Sequence, residues 1–210
     1  MFVSFSKIVL LSAALILLFI PVILLQENWS VTNTTDLIFA VHRIVGLYAF
    51  FLIFIQIILG SGMGLLSKIF TTKLISNLHQ RIGKLAFTLV LAHPILLFAT
   101  YFPNQNFDYV SSFWNGTNFI FFACGVIALL LLTISVATAI FRQSIGKNWI
   151  YIHRINYLIF WLIFYHSYNL GTDTKASLAQ NIYLVFAVVV GFLTLRKLFN
   201  WGHSYLTRIS

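Results

Sequence analysis

The chain has 210 residues, of which 60% are hydrophobic and only 8% charged, and its mean hydropathy is +0.94. A soluble domain carries roughly a quarter charged residues, so the composition excludes a soluble fold. It leaves an integral membrane protein with room for at most about seven or eight spans of about 20 residues each. The single cysteine, Cys124, excludes an intrachain disulfide, a multi-cysteine zinc site and a cysteine-ligated iron–sulfur cluster. Its apolar surroundings read as those of a buried, inert thiol.

Six apolar segments predict membrane helices at about 7–26, 38–60, 78–101, 117–141, 150–170 and 180–200. The expected fold class is therefore all-α, a six-transmembrane-helix bundle forming one domain over residues 1–210. The first segment is too long for a signal peptide and no small-residue cleavage pattern follows it, so it reads as a span. Turn residues mark the breaks at 28–36, Gly60 to Gly64, 103–108, 146–148 and 171–174.

Charge placement orients the segments. The loops after the first, third and fifth hold all four acids, Glu27, Asp36, Asp108 and Asp173, and one lysine, Lys175. Eleven of the thirteen basic residues fall on the other side: Lys7, Lys68, Lys73, Arg81, Lys84, Arg142, Lys147, Arg154, Arg196, Lys197 and Arg208. The positive-inside rule then places both termini in the cytoplasm, with Trp29 and Trp114 at the outer interface and Trp149 and Trp201 at the inner one. The net charge of +9 is thus a topology signal made of short clusters at span ends, and nucleic acid is not an expected partner.

Four of the six histidines form two pairs. His79 and His93 are 14 residues apart on the third segment, and His153 and His166 are 13 apart on the fifth. At 1.5 Å per residue these are separations of about 21 and 19.5 Å along the axis. The two segments run parallel, so His79 shares an inner depth with His153 and His93 an outer depth with His166. Heme iron suits this arrangement, because a porphyrin leaves two axial positions that two imidazoles fill. A bare zinc or copper site needs three or four ligands at one depth. The lack of acids inside the segments, Asp36 at a boundary apart, argues against carboxylate proton relays. One detail needs accommodation. Fourteen residues return to within about 40° of one helix face, but thirteen miss by about 140°. The fifth segment must bend, carry a π-bulge, or present its histidines at different azimuths.

The strings LHQRIGKLAFTLVLAHP (Leu78 to Pro94) and WIYIHRINYLIFWLIFYH (Trp149 to His166) resemble the ferric reductase-like transmembrane domain. That family includes NADPH oxidases, ferric-chelate reductases and the heme subunit serving periplasmic methionine sulfoxide reductase. The resemblance runs from about Arg43 onward and implies six helices holding two heme b groups. It pairs His79 with His153 on the inner heme and His93 with His166 on the outer, all four as axial iron ligands. Members serving methionine sulfoxide repair commonly lack the first histidine; its presence here leans toward a generic two-heme reductase. The implied activity is that of a heme-dependent oxidoreductase in the plasma (cell inner) membrane. It would take electrons from a separate flavoprotein reductase or a quinol and pass them to ferric iron, oxygen or a periplasmic redox protein outside. The sequence stops at Ser210 and contains no GxGxxG. It reads as a standalone subunit or as part of a longer flavocytochrome, with FAD, FMN or quinone supplied only through a partner.

Other residues carry two readings each. The resemblance implies that Arg43 lies by the outer heme, pairing with a propionate or the acceptor; the alternative is a snorkelling interfacial side chain. His42 has no ligand partner left over and reads as a proton donor or interface histidine, and His203 as solvent-facing. Arg81 and Arg154 face propionates or lipid headgroups. Phe87, Phe160, Trp161 and Phe164 lie between the two depths, and ordinary packing is the simpler reading for them. The competing functions are a cytochrome b561-like quinol oxidoreductase, whose histidines lie on four consecutive helices, and a non-catalytic transporter or assembly protein.

Overall fold

A computed structural model describes residue 12 and residues 19–24, 31–101, 111, 116, 118–175 and 177–209, leaving aside the side chains of 177 and 201–209. No strand occurs among the described residues. The helices are α1 (Thr34–Leu66), α2 (Thr72–Tyr101), α3 (Phe119–Ile140), the single turn α4 (Arg142–Ile145), α5 (Trp149–His153), α6 (Asn156–Leu170) and α7 (Ser177–Ile209). Short 3-10 turns join them at Gly146–Asn148 and Asp173–Lys175. Among the described residues four stretches are long and apolar enough to cross a membrane: Thr34–Leu66, Thr72–Tyr101, Phe119–Ile140 and Leu178–Asn200. Of the first expected span only residue 12 and the helical stretch 19–24 are described. Lys7, Glu27, Trp29, Asp108 and Trp114 lie outside the described residues, as do the side chains of Trp201, His203 and Arg208.

The chain folds as two helical hairpins, α1 against α2 and α3 against α5 and α6, closed by α7. Asn33 starts α1: its side-chain oxygen accepts the Asp36 N–H at 2.9 Å, and the Asp36 carboxylate accepts the Thr32 N–H at 3.0 Å. This reciprocal cap moves the start to Thr34 from the expected 38. The expected turn at Gly60, Gly62 and Gly64 does not form, since α1 runs through all three to Leu66. A glycine costs a helix only about 1 kcal/mol, whereas backbone N–H and C=O groups freed in a bilayer cost several kcal/mol each. The turn comes instead at 67–71.

The fifth expected span, 150–170, is not one helix and is not among those four stretches. Arg154 (φ −65°, ψ −20°) and Ile155 (φ −60°, ψ −16°) join α5 to α6 with near-3-10 geometry. Ile155 N–H donates to the Ile152 carbonyl at 3.0 Å, a three-residue bond. Such a turn winds the chain by about 120° per residue instead of 100°, so the two residues recover about 40° of the phase error, and residues 150–170 contain an interruption and no π-helical turn.

Phe50, Phe54 and Leu47 of α1, Phe160 of α6 and Tyr183, Phe186 and Val190 of α7 form the core. Phe50 stacks on Tyr183 at 4.3 Å, and Phe54 on Phe186 at 3.7 Å. Phe160 is fully buried against Phe50, 5.7 Å away, and Phe164 stacks on Tyr168, which settles these two aromatics as packing residues. The opposite faces are apolar and exposed, as at Leu85, Ile95, Phe98, Ile140, Phe192 and Phe199. That is how a bundle facing lipid looks. Cys124 is a free, half-buried thiol, less enclosed than its apolar run implied.

A buried ion pair ties the N-terminal third of α1 to the turn after α6. Arg43 Nε donates to Asp173 Oδ2 at 3.0 Å, and Nη2 donates to Oδ1. The side chains are 11% and 6% exposed, which overturns the snorkelling reading of Arg43. Thr174 beside it caps α6, its hydroxyl donating to the Gly171 and Tyr168 carbonyls at 2.6 and 3.1 Å. Replacing one member breaks a buried ion pair, at a cost of about 3–5 kcal/mol. Asp173→Ala is therefore expected to lower the thermal unfolding temperature in detergent sharply. The double variant Arg43→Met, Asp173→Leu should regain most of that loss.

Candidate functional site

The four paired histidines all lie inside the bundle, and each ring is backed by a neighboring helix. On the outer level, His93 Nδ1 lies 3.2 Å from the His42 carbonyl oxygen of α1, and His166 Nδ1 lies 3.0 Å from the Phe121 carbonyl oxygen of α3. A carbonyl oxygen only accepts, so each Nδ1 carries the proton and each neutral ring keeps its lone pair on Nε2. This is the tautomer in which metal-ligating histidines are held, the second nitrogen donating to a carbonyl and raising the ring's basicity.

The same device serves both rings. The accepting carbonyl lies four residues before a glycine, His42 before Gly46 and Phe121 before Gly125. A Cβ built on Gly46 would lie 2.6 Å from His93 Cε1, and one on Gly125 would lie 2.5 Å from His166 Nδ1. Only a bare backbone lets the imidazole reach the carbonyl one turn back.

The inner level is built otherwise. The His79 and His153 rings are 6.1 Å apart, center to center, at 76°. Two imidazoles on opposite sides of one metal, each bonded at roughly 2 Å, have ring centers about 6 Å apart. The donor set and the separation thus both fit a bis-histidine iron. His153 Nδ1 lies 3.3 Å from Ser135 Oγ and 3.2 Å from Asn156 Nδ2, and Trp149 packs on the ring at 5.4 Å. His79 lies beside Gly60. Three buried atoms here make no hydrogen bond: His79 Nδ1, Gln56 Nε2 and Asn156 Oδ1. If the Asn156 amide turned over, its unpaired oxygen would accept a proton from His153 Nδ1 and free Nε2 for a metal. Buried polar atoms without partners are uncommon and call for an explanation, such as an absent ligand.

The backing residues repeat the histidine spacing. Gly46 and Gly60 lie 14 residues apart on α1, opposite His93 and His79, and Phe121 and Ser135 lie 14 apart on α3, opposite His166 and His153. Helices α2 and α6 themselves touch little among the described residues, and His79 meets His153 of α5 across the seam between the hairpins. His42, left without a partner by the sequence, packs face to face on His93. Arg81 is exposed, and Arg154 lies over the Tyr151 ring at 5.1 Å. No group of three or more His, Cys, Asp or Glu side chains converges among the described residues, whereas an axially ligated porphyrin asks for two.

The fold and site define a helical membrane protein whose described interior brings four histidines against neighboring helices beside a buried Arg43–Asp173 ion pair. The chain matches the family described as ferric reductase like transmembrane component over residues 45–164, more than half its length, and belongs to that family. His79, His93 and His153 fall within the matched stretch; His42, Arg43 and His166 flank it. No curated protein and no solved structure matches the chain significantly.

Adding a methyl group at either outer cradle forces an imidazole away, and overpacking of this kind costs typically about 1–3 kcal/mol. Gly46→Ala and Gly125→Ala should each lower thermal stability by that order. Gly64→Ala, where a Cβ meets nothing within 4 Å, should leave it unchanged.

Proposed function

We propose that this chain carries single electrons across the membrane through two b-type hemes, His79 and His153 holding the inner one and His93 and His166 the outer. Membership of the ferric reductase-like family points to transmembrane electron transfer and an oxidoreductase activity. The observation that carries the two-heme reading is the orientation of the outer rings, whose Nδ1 protons are committed to backbone carbonyls. The 6.1 Å separation of the inner pair supports it.

Bound heme supplies one-electron exchange between ferric and ferrous iron. The protein's part is to fix the axial imidazoles, to exclude water with the apolar bundle, and to hold the two levels about 20 Å apart by helix rise. Without carboxylates between the levels, protons have no relay to follow. Electrons enter from a cytoplasmic-side flavoprotein or a quinol and leave to ferric iron, oxygen or a redox protein outside. Arg43, clamped by Asp173 and next to His42, is the basic group for an outer propionate or the acceptor. The domain is a six-span bundle of the plasma membrane with both termini in the cytoplasm.

Purified with heme supplied during expression, the protein should hold two low-spin b hemes per chain by pyridine hemochrome assay. His79→Ala and His166→Ala should each remove one. A colorless protein would overturn the reading. For topology, a membrane-impermeant thiol reagent applied to intact cells should label Gly116→Cys and spare Lys73→Cys, both made with Cys124→Ala.

A further inference from the structure

We infer that His42 is a positioning residue for His93, and that through His93 it sets the reduction potential of the outer heme. The inference rests on the two-heme reading above and concerns a residue outside the four ligands.

The two residues are joined twice, in opposite senses. His93 Nδ1 donates to the His42 carbonyl at 3.2 Å, and His42 Nδ1 donates to the His93 carbonyl at 3.0 Å. Their rings stack with centers 4.1 Å apart and planes 14° from parallel, and Phe39 lies beyond His42 at 6.0 Å and 21°. His42 is 8% exposed, so water does not compete for these bonds. The closed pair of bonds fixes α1 against α2 at this depth, since neither helix can slide along the other without lengthening both. His93 itself is followed by Pro94, which has no N–H to give the helix, so cross-helix bonds matter more at this turn.

The consequence falls on the iron ligand. A ring that donates strongly from Nδ1 is a better electron donor at Nε2, and that favors ferric iron and lowers the potential. His42 keeps its own carbonyl within reach of His93 Nδ1. Without the His42 side-chain donor, α1 is released, the His93 bond weakens, and the outer potential rises. The inner pair has no bond to His42 and stays where it was. Interhelical packing alone would move stability without moving one potential selectively.

The test uses the full heme-loaded chain in three forms: wild type, His42→Phe and His42→Gln. Phenylalanine preserves a stacked ring without a donor, and glutamine restores an N–H donor without the ring. Spectroelectrochemical titration and electron paramagnetic resonance are read on each, with the outer component assigned from His79→Ala, which retains only that heme. In His42→Phe the outer heme should become easier to reduce by about tenfold in its equilibrium, about 59 mV for one electron. Its low-spin g values should shift, the inner component should not move, and His42→Gln should return most of the way to wild type. An unmoved outer potential in His42→Phe overturns the inference, as does an equal shift of both components. If His42→Phe fails to assemble, a displaced outer potential in His42→Gln overturns it and a wild-type value supports it. Wild-type protein without heme overturns the two-heme reading as well, and so is distinguishable from failure of this inference alone.

Discussion

A bilayer offers no water to a buried polar group, so an imidazole in this bundle is costly unless it finds a partner in the protein, as both outer rings do. That requirement organizes the structure. It ties each outer histidine to a backbone carbonyl of the adjacent helix and demands a glycine one turn further on so the ring can approach. It also makes the helices pair as they do, α1 behind the histidines of α2 and α3 behind those of α5 and α6. Because Nδ1 is spent on this anchoring, Nε2 is what remains, and the need to satisfy a polar group becomes a preorganized ligand geometry.

The two levels are anchored with different chemistry. Outer rings donate to carbonyls, which are fixed and strong acceptors, while His153 leans on a hydroxyl and an amide and His79 Nδ1 has no partner. The unpaired Gln56 and Asn156 atoms gather around the inner pair. On the proposed two-heme reading, ligands of unequal basicity would set the two irons at different potentials without any change of ligand type. The Arg43–Asp173 pair adds rigidity at the outer end, where a buried bidentate ion pair holds the base of α1 to the α6–α7 turn beside His42.

Helix splicing between α5 and α6 is the second consequence of placing two functional side chains on one span. His153 and His166 must both reach α3, at Ser135 and Phe121, yet thirteen residues of regular helix would turn them about 140° apart. Two overwound residues at Arg154 and Ile155 interrupt the phase, and the backbone stays bonded through three-residue contacts. The span is consequently shorter as a regular helix than its hydropathy suggested.

The sequence by itself determined the membrane setting and the helical class, because apolar length and hydropathy are local properties written in one dimension. Even the phase error at thirteen residues was legible, though the choice among a bend, a π-bulge and different azimuths was left to the fold. What it misread depended on competition between local preference and surroundings. Gly60, Gly62 and Gly64 look like a turn until the bilayer's penalty on free backbone groups keeps them helical. Arg43 looks like a snorkelling cation until Asp173, 130 residues away, supplies a buried partner. Gly46, Gly125 and Ser135 gave no signal as site residues, and His42 only that of a histidine without a ligand partner, since their role lies in facing a ring on another helix. Which helices are neighbors is set by the packing of α1, α6 and α7 around Phe50, Phe160 and Tyr183, and only the folded chain decides it.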